Sequence, residues 1–465
     1  MNKFFVLILA IISNINNIFC MTITPGHKIS PKEIRYIKNR KPLTQAAIRN
    51  IIKINDKNIK LPKIALCFSG GGYRSMISCA GFLDAAEKKD LLSAATCITS
   101  LSGSTWLLIA LLTLNFSMEL FKQYLEKAVN NNFFDFNKLD TEKIYNSLKS
   151  NNQNKLIDFW GSILSGHLLG DYDQKLTFKN IRKHLKTFNY YPFPIFSCVI
   201  ANSKDPKDNL PYNWMEISPY ATYAKILDST VSTKYLGNIF KNGSIKTKNP
   251  ELPSGFFMGV LGSPFCTSAG DILNLLLTDI GEILHVNSYK YLDWFEKKFE
   301  FLKLYKNRIC PAQIPNYSYG LKQSKLQNNK NLELIDGGFS FNLPLDPLFR
   351  RKFDIIIICD ASVDATTINY PELRLAANYA SDHGITFPDI EKAYIKYDNL
   401  EIFFNPKNPD CPAIIYFTNP IKEPTLKMNY DPPEFENLYG AMQKLVLNNT
   451  ENIAEIIRLK IKQSN

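Results

Sequence analysis

The sequence predicts an α/β fold, a single large domain with a mostly parallel central sheet flanked by helices. Three observations support this prediction. Apolar, strand-like runs alternate with helical segments along the chain, which is the pattern of a parallel sheet. Several of these runs stop at a turn rich in glycine or serine. The chain has 465 residues, of which 45% are hydrophobic and 21% charged, and this composition can bury a sizeable core.

The N-terminal residues have the architecture of a signal peptide. Lys3 precedes an apolar run over 4–12, which is too short for an ordinary membrane span. We therefore expect a signal peptide over 1–20 and a secreted protein or one of the secretory pathway. A cytoplasmic, membrane-associated protein is the alternative. A helical lead-in over 21–59 and one domain over 60–465 complete the predicted organisation.

Strands, helices and loops can be placed in order after the lead-in. Helices are expected between the first two strands (Ser75 to Lys89), after the second (Thr105 to Leu114, an apolar and buried helix) and over much of 118–187. The predicted strands are 64–68, 97–101, 195–201, 332–335, 354–359 and, more weakly, 413–417. Loops bearing Pro and Asn are predicted over 203–213, 311–331 and 404–413.

The charge of the chain indicates an anionic partner. Its formal net charge is +12, which suits nucleic acid or the surface of an anionic membrane. The sequence has no aromatic-basic RNA motif, no zinc-finger spacing and no dense Lys/Arg block. A membrane or micelle surface is therefore favoured over nucleic acid, and no protein partner is evident. A diffuse basic surface that serves no particular partner is an equally open interpretation.

The cysteines indicate buried thiols and not a disulfide framework. Four of them lie in apolar, strand-like runs. Cys310 and Cys411, each beside a proline in loop-like sequence, are the pair to test for a bridge. There is no EF-hand or metal-ligand cluster, so neither a metal nor another cofactor is expected. The four cysteines in strand-like runs are Cys67, Cys97, Cys198 and Cys359.

A glycine-rich turn follows the first strand, in the stretch IALCFSGGGYRSM from Ile64 to Met76. The lysine of a P-loop and the G-x-G-x-x-G of a dinucleotide fingerprint are both missing. A strand that breaks into glycines before a helix brings backbone N–H groups close to negative charge. The N–H groups around Gly71 and Gly72 are therefore better suited to an oxyanion formed during a reaction.

A serine turn follows the second strand, in the stretch SLSGSTW over 100–106. Crossovers between parallel strands are right-handed, so this turn should lie beside the glycine turn. A serine between a strand and a helix is the arrangement of a nucleophile elbow, and Ser102 occupies that position at the C-terminal edge of its strand. On local sequence alone, a serine-rich turn that caps a helix remains an alternative.

A carboxylate follows a third strand, where Ile335 runs into Asp336-Gly337-Gly338. We expect parallel topology to place Asp336 at the same edge as Ser102 and the glycines. A carboxylate in a dry site can serve as the base for a serine hydroxyl. The histidines support such a dyad over a triad, because none lies in a turn after a strong strand; they are His27, His167, His184, His285 and His383.

With these sites the sequence resembles the catalytic domain shared by group IV cytosolic phospholipases A2 and secreted fungal lysophospholipases (phospholipases B), relatives of the patatin-like lipid acyl hydrolases. The resemblance runs from about residue 60 to 417 in family order. It rests on SGGGYRSM (69–76), SLSGSTW (100–106), MEISPY (215–220), FFMGVLGSPF (256–265), IDGGFSFNLPL (335–345) and FNPKNPDCPAIIYF (404–417).

The resemblance implies a role for individual residues. Ser102 would be the nucleophile, Asp336 its base, and Arg74 a contact for the substrate phosphate. A second phosphate-binding arginine lies downstream of the aspartate in the family; Arg350 and Arg351 both fall there, and Arg351 is our candidate. The oxyanion hole would be formed by Gly71, Gly72 and Gly103.

The implied activity is that of a calcium-independent, cofactor-free serine esterase, a phospholipase A2 or lysophospholipase. It would hydrolyse fatty-acyl esters of glycerophospholipids and lysophospholipids through an acyl-enzyme. A transacylase that uses the same dyad and a catalytically impaired lipid-binding protein are the alternatives. The sequence departs from the family at Ser100, where a glycine is usual. The roughly 60 residues before the first catalytic strand leave no room for a C2 domain, which needs ~100 residues.

Overall fold

The computed structural model describes residues 23–131, 155–170, 176–187, 190–201, 213–263, 311–363 and 370–464. The predicted signal peptide and Cys310 lie outside the described residues. The strands are β1 (Ile23–Pro25), β2 (Ile64–Phe68), β3 (Ala95–Ser100), β4 (Phe193–Ile200), β5 (Asn213–Ile217), β6 (Thr222–Ala224), β7 (Ser229–Val231), β8 (Ile239–Lys241), β9 (Ser244–Thr247), β10 (Ala312–Pro315), β11 (Asn331–Asp336), β12 (Ile355–Asp360), β13 (Ile395–Tyr397), β14 (Leu400–Phe403) and β15 (Ala413–Thr418).

Helices fill most of the remaining described chain. They are α1 (Pro31–Ile52), α2 (Gly72–Lys88), α3 (Leu91–Ala94), α4 (Gly103–Leu114), α5 (Met118–Asn130), α6 (Lys155–Leu169), α7 (Phe178–Thr187), α8 (Ser254–Leu261), α9 (Asp346–Arg351), α10 (Pro371–Asp382), α11 (Pro432–Asn448) and α12 (Thr450–Ser464). All six predicted strands and the predicted helices that fall in this part of the chain are confirmed, with ends that differ by a few residues.

The centre of the sheet is parallel, as the sequence predicts. The five adjacent strands β4-β3-β2-β12-β15 all run in one direction. β2 and β12 are buried on both faces and are correspondingly apolar over almost their whole length. Antiparallel strands extend both sides of this centre: β5, β6, β7 and β1 beyond β4, and β14 and β13 beyond β15.

The two helices that follow the glycine and serine turns are buried. Fifteen of the residues of α2 are buried, because α11 covers its outer side; a Cβ on Gly81 would lie 2.2 Å from the carbonyl oxygen of Tyr439. The apolar helix α4 is also buried along nearly its whole length, as predicted. Within the described ranges, none of the helices combines the length and apolar character needed to cross a bilayer.

β3 and β11 approach each other head-on along one edge of β4. β3 pairs parallel with the first half of β4, as far as Ser100 beside Phe196. β11 pairs antiparallel with the second half, and Asp336 lies beside Cys198. The other edge of β4 is occupied by β5 over this second half, so β11 must share the edge that β3 uses. The expected parallel orientation of the Asp336 strand is therefore wrong, although the aspartate still arrives beside the end of β3.

Several short strands have no counterpart in the sequence-based prediction. β5 to β9 lie within 213–247, and β10 lies in the stretch 311–331 that was predicted as loop. Most of them have only three to five residues, too few for a clear alternation of apolar and polar positions. The four cysteines predicted to be buried thiols are confirmed, and Cys411 is also a buried free thiol.

Candidate active site

The glycine turn is fastened to the end of β12. The N–H of Ser69 donates to the carbonyl oxygen of Cys359 at 3.1 Å, and the Ser69 hydroxyl accepts from the N–H of Ala361 at 2.7 Å. Gly71 and Gly72 have φ angles of +135° and +60°, which side chains rarely adopt. This turn therefore needs glycine for its backbone conformation, and its position is set by hydrogen bonds to the neighbouring strand.

The serine turn has the strained backbone of a nucleophile elbow. Ser102 has φ 52° and ψ −125°, a combination that costs about 1–3 kcal/mol in a residue with a side chain. Its N–H is held by the carbonyl oxygen of Leu261 at 3.0 Å. The two turns touch, since a Cβ on Gly103 would lie 1.9 Å from the carbonyl oxygen of Gly72.

The serine at position 100, where the family usually has glycine, fits this elbow. The Ser100 hydroxyl lies 2.9 Å from the Thr105 hydroxyl, so its polar atom is satisfied inside the protein. Ser104 braces the same turn, because its hydroxyl lies 2.8 Å from the carbonyl oxygen of Leu101 and 3.1 Å from that of Phe68, and it accepts from the N–H of Leu101. The two flanking serines thus support the sharp reversal of the chain.

The Ser102 hydroxyl lies beside Asp336 and lowers the pKa of its carboxyl group. The aspartate is 8% exposed, and its Oδ1 also accepts from the N–H of Gly338 at 2.9 Å. Burial raises the pKa of Asp336 to about 6, although the hydrogen bonds from Gly338 and Ser102 lower it. At neutral pH this carboxyl group is therefore ionised and has a proton affinity higher than that of an ordinary aspartate.

The site presents backbone N–H groups beside the serine. α2 begins at Gly72 and α4 begins at Gly103, so both N–H groups belong to first turns that have no acceptor within their own helix. Within the described part of the chain, the N–H groups of Gly71, Gly72 and Gly103 have no protein acceptor. Together with the positive ends of two helices, they favour negative charge that develops on a substrate oxygen.

Asn342 is a functional residue that the sequence reasoning missed. Its Oδ1 accepts from the N–H of Gly70 at 3.1 Å, and its Nδ2 donates to the carbonyl oxygen of Gly70 at 3.2 Å. Its Oδ1 is also close to the aspartate turn, since a Cβ on Gly338 would lie 3.2 Å from it. The asparagine therefore joins the glycine turn to the turn that carries Asp336. Its only sequence signal is its place in the matched stretch 335–345.

A buried carboxylate supports Asn342 from behind. Asn342 Nδ2 lies 2.5 Å from the Ser362 hydroxyl, and Ser362 donates to Asp360 through both its N–H and its hydroxyl. The hydroxyl of Tyr416 also donates to Asp360, which is fully buried at the end of β12. Burial raises the pKa of Asp360, while these hydrogen bonds lower it. The chain of contacts links the glycine turn to the centre of the sheet.

Arg74 lies beside the glycine turn with its guanidinium buried. It is 1% exposed, and its Nε donates to the carbonyl oxygen of Ala361 at 2.7 Å. Its Nη1 donates to the Thr425 hydroxyl and to the carbonyl oxygen of Glu423. A Cβ on Gly71 would lie 2.6 Å from Nη2, so the guanidinium packs against the glycine turn. These contacts anchor the turn, and phosphate binding by Arg74 stays a prediction.

Arg351 lies in a separate cluster of buried ion pairs. Its guanidinium donates to Glu33 at 2.8 Å and to Glu216 at 2.9 Å, and its side chain is 5% exposed. Arg350 also pairs with Glu216, and it pairs with Asp346 one helical turn earlier. The structure therefore does not bring Arg351 to Ser102 and Asp336 as a phosphate ligand, because two carboxylates already neutralise its charge.

Two of the histidines also make their contacts away from Ser102. His27 Nε2 lies 3.3 Å from Glu216 in the ion-pair cluster, and His383 Nδ1 lies 2.9 Å from the carbonyl oxygen of Tyr379. His285 lies outside the described residues. The titratable group that the structure places beside the Ser102 hydroxyl is the carboxyl group of Asp336.

An α/β domain with a serine on a strained strand-to-helix turn, a buried carboxylate as its partner and unpaired N–H groups beside it has the architecture of a serine hydrolase. The chain belongs to the lysophospholipase catalytic domain family, whose profile matches residues 64–382.

The similar proteins include mammalian and fungal lipases. Cytosolic phospholipase A2 gamma of Mus musculus is 27% identical over 63% of this chain, and Lysophospholipase 1 of Candida albicans (strain SC5314) is 26% identical over 88% of it. The chain spans 46% of the length of the first relative and 77% of the second. The solved structure of human GIVD cytosolic phospholipase A2 superposes with a TM-score of 0.77 at 17% identity, over 95% of this chain and 68% of that one, and it shares the fold.

Proposed function

We propose that the protein is a phospholipase A2 or lysophospholipase that hydrolyses fatty-acyl esters with Ser102 as nucleophile and Asp336 as general base. The observation that carries this proposal is a buried carboxylate, with its pKa raised to about 6, beside the Ser102 hydroxyl. A base whose pKa lies near the working pH can accept the serine proton and later return it. The named relatives support a lipid ester as the substrate.

Acylation begins when Ser102 Oγ attacks the ester carbonyl carbon and its proton passes to Asp336. The carbonyl oxygen becomes an oxyanion that accepts hydrogen bonds from the N–H groups of Gly71, Gly72 and Gly103. When this intermediate collapses, the ester C–O bond breaks and the leaving alkoxide takes the proton from Asp336. The products are an acyl-enzyme and a lysophospholipid or, from a lysophospholipid substrate, a glycerophosphodiester.

Deacylation repeats the same steps with water in place of the serine hydroxyl. Asp336 removes a proton from the water as its oxygen attacks the acyl carbon, and Ser102 Oγ leaves with that proton. Each role is taken by a protein group, so we expect a metal chelator to leave the rate unchanged. We also propose that the enzyme works at a phospholipid membrane or micelle surface within or beyond the secretory pathway, and that Arg74 contacts the substrate phosphate.

The decisive experiment combines active-site labelling with product analysis. The full chain is treated with a fluorophosphonate probe, and fatty-acid release is followed from phospholipid vesicles and lysophospholipid micelles with chelator present. Ser102→Ala is compared with Ser381→Ala, a control on an exposed serine near the end of α10. We expect labelling and release with the wild type and Ser381→Ala, and neither with Ser102→Ala.

The other outcomes separate the alternatives. Acyl transfer to an added lysophospholipid in preference to water would identify a transacylase that uses the same dyad. No labelling of the wild-type chain would contradict an activated serine and would favour a lipid-binding protein. Equal release by wild type and Ser102→Ala would remove Ser102 from the mechanism.

A further inference from the structure

A cavity of about 530 Å³ lies beside the outer antiparallel strands of the sheet. It is enclosed by the segment that leads into α1, by residues in and around β6 and β7, and by the side of α7. β6 and β7 are three and four strands away from β3 in the sheet, or about 14–19 Å at the usual strand spacing. The cavity is therefore separate from the Ser102 site, and its volume is typical of a site for a small ligand.

The wall of this cavity carries positive charge. Of the described residues that line it, four are cationic and none is a carboxylate; the cations are Lys28, Lys32, Arg182 and Lys234. Arg182 is neutralised from the side by Glu251, through two hydrogen bonds of 2.7 and 2.6 Å. The three lysines have no carboxylate partner within the described ranges. A concave surface with charges of one sign concentrates ions of the other sign, so the cavity attracts an anion.

Two tyrosines narrow the choice of anion. Lys32 Nζ lies 5.9 Å from the centre of the Tyr220 ring, and Lys234 Nζ lies 4.4 Å from the centre of the Tyr235 ring. The ring faces at which a quaternary ammonium group would bind are therefore already occupied by lysine ammonium groups. A choline headgroup would meet like charge here. The cavity instead suits a phosphate that has no cation attached to it.

Two of the other polar side chains in the wall already make hydrogen bonds within the protein. The hydroxyl of Thr230 donates to the carbonyl oxygen of Gly26 and accepts from the N–H of Lys28. The hydroxyl of Ser30 accepts from the N–H of Lys32 at the start of α1. A lysine ammonium group offers three donors on a flexible stem, which suits a multiply charged oxyanion.

We propose that this cavity binds a phosphate monoester, presented either by the headgroup of an anionic lipid or by a soluble phosphate compound. The proposal does not depend on the proposed hydrolysis, since the cavity contains no part of the serine site. The cavity would then be one defined anion-binding site on the basic surface of the chain.

The test uses Lys32→Gln/Lys234→Gln and a charge-matched control, Lys392→Gln/Lys444→Gln, in which both lysines are exposed and have no described ion pair. Sedimentation measures binding of the full chain to phosphatidylcholine vesicles with and without phosphatidic acid. Calorimetry with inorganic phosphate measures binding of the soluble form. Thermal unfolding and hydrolysis of a soluble ester check that each variant is folded and keeps its basal activity.

We expect phosphatidic acid to strengthen vesicle binding, or inorganic phosphate to bind with saturation, according to the source of the phosphate. The cavity variant should bind about 30-fold more weakly than the wild type, since each lysine near an anionic surface contributes ~1 kcal/mol. The control should bind within about threefold of the wild type. Equal losses of affinity in the cavity variant and the control would show a bulk charge effect and overturn the proposal. It would also be overturned if the wild type bound neither phosphatidic acid nor inorganic phosphate.

Discussion

Two buried carboxylates, Asp336 and Glu216, serve opposite purposes in this fold. They are 8% and 5% exposed, so they differ little in how far they are removed from water. Asp336 has neutral groups beside it: its carboxylate accepts from the N–H of Gly338 at 2.9 Å, and the Ser102 hydroxyl also lowers its pKa. Burial raises its pKa to about 6 because these donors offset only part of the cost of charging it.

Glu216 lies among cations. Burial alone would raise its pKa, but Arg351 and Arg350 outweigh burial and hold the pKa well below its ordinary value. His27 adds a further contact at 3.3 Å. The comparison shows that the partners of a carboxylate, more than its depth, decide whether it exchanges a proton or remains a fixed charge that holds elements together.

The largest effect expected from this comparison is on catalysis at Asp336. We predict that Asp336→Asn lowers kcat at least 10³-fold, because the amide cannot accept the serine proton. The measurement is fatty-acid release at neutral pH, with circular dichroism to confirm that the variant is folded. Activity within tenfold of the wild type would show that another group is the base.

Glu216→Gln should act on stability. The substitution leaves Arg350 and Arg351 with one fewer carboxylate in a buried cluster, and we predict a loss of about 3–5 kcal/mol in the free energy of unfolding. Urea denaturation measures it. An exposed ion pair supplies the control: Glu391→Gln, opposite Arg374, should leave the free energy of unfolding nearly unchanged. Similar small effects at both sites would contradict the structural role of the cluster.

Asn342→Ala should lower kcat by about 10- to 100-fold with little change in KM, because the glycine turn loses a partner on each side of Gly70. The expected size is that of a lost positioning contact, below the loss at Asp336 itself. Fluorophosphonate labelling should slow in parallel, since it depends on the same oxyanion donors. An unchanged labelling rate would indicate that Asn342 contributes to folding only.

The same comparison predicts how stability depends on pH. The folded-state pKa of Asp336 is about 6 against an ordinary value of 3.8, so the native state holds this proton more tightly than the unfolded state. The stability that the native state gains from holding this proton is fully present below about pH 4, and it is lost as the pH rises through about 6. Asp336→Asn, which never ionises, should therefore be about 1–3 kcal/mol more stable than the wild type at pH 7, with the advantage gone near pH 4. Equal unfolding temperatures of the two proteins at pH 7 would contradict a destabilising charge on buried Asp336.

Fatty-acid release by the wild type should decrease as the pH is lowered, with an apparent pKa of about 6, because protonated Asp336 cannot accept the serine proton.

Local sequence predicts the parts of the site that local interactions form. Gly71 and Gly72 adopt φ angles that favour glycine, and the serine turn of 100–104 lies between an apolar strand and an apolar helix, so both features are visible in the residues themselves. The position of Asp336 was also predicted, but through a parallel topology that the structure contradicts. Whether one strand runs with or against another depends on the path of the chain between them, and short local patterns do not record that path.

The misplaced and missed residues depend on contacts far apart in sequence. Arg351 binds Glu33, 318 residues away, and Glu216, 135 residues away. Asn342 binds Gly70 across 272 residues. An arginine near the site and an arginine in a buried ion pair look alike in one sequence, because the distinction lies in which carboxylates the fold brings to them.

The head-on meeting of β3 and β11 has a consequence for how such a chain can change in length. Both strands are in register with the same edge of β4, so the hydrogen bonds along one backbone set the spacing between the end of β3, just before Ser102, and Asp336. The register itself is set by pairs that lie within β3, β4 and β11. Changes of length in exposed turns away from these three strands would therefore leave that register unchanged. The distance between the end of β3 and Asp336 is thus fixed by strand pairing, while the turns elsewhere in the chain can change in length.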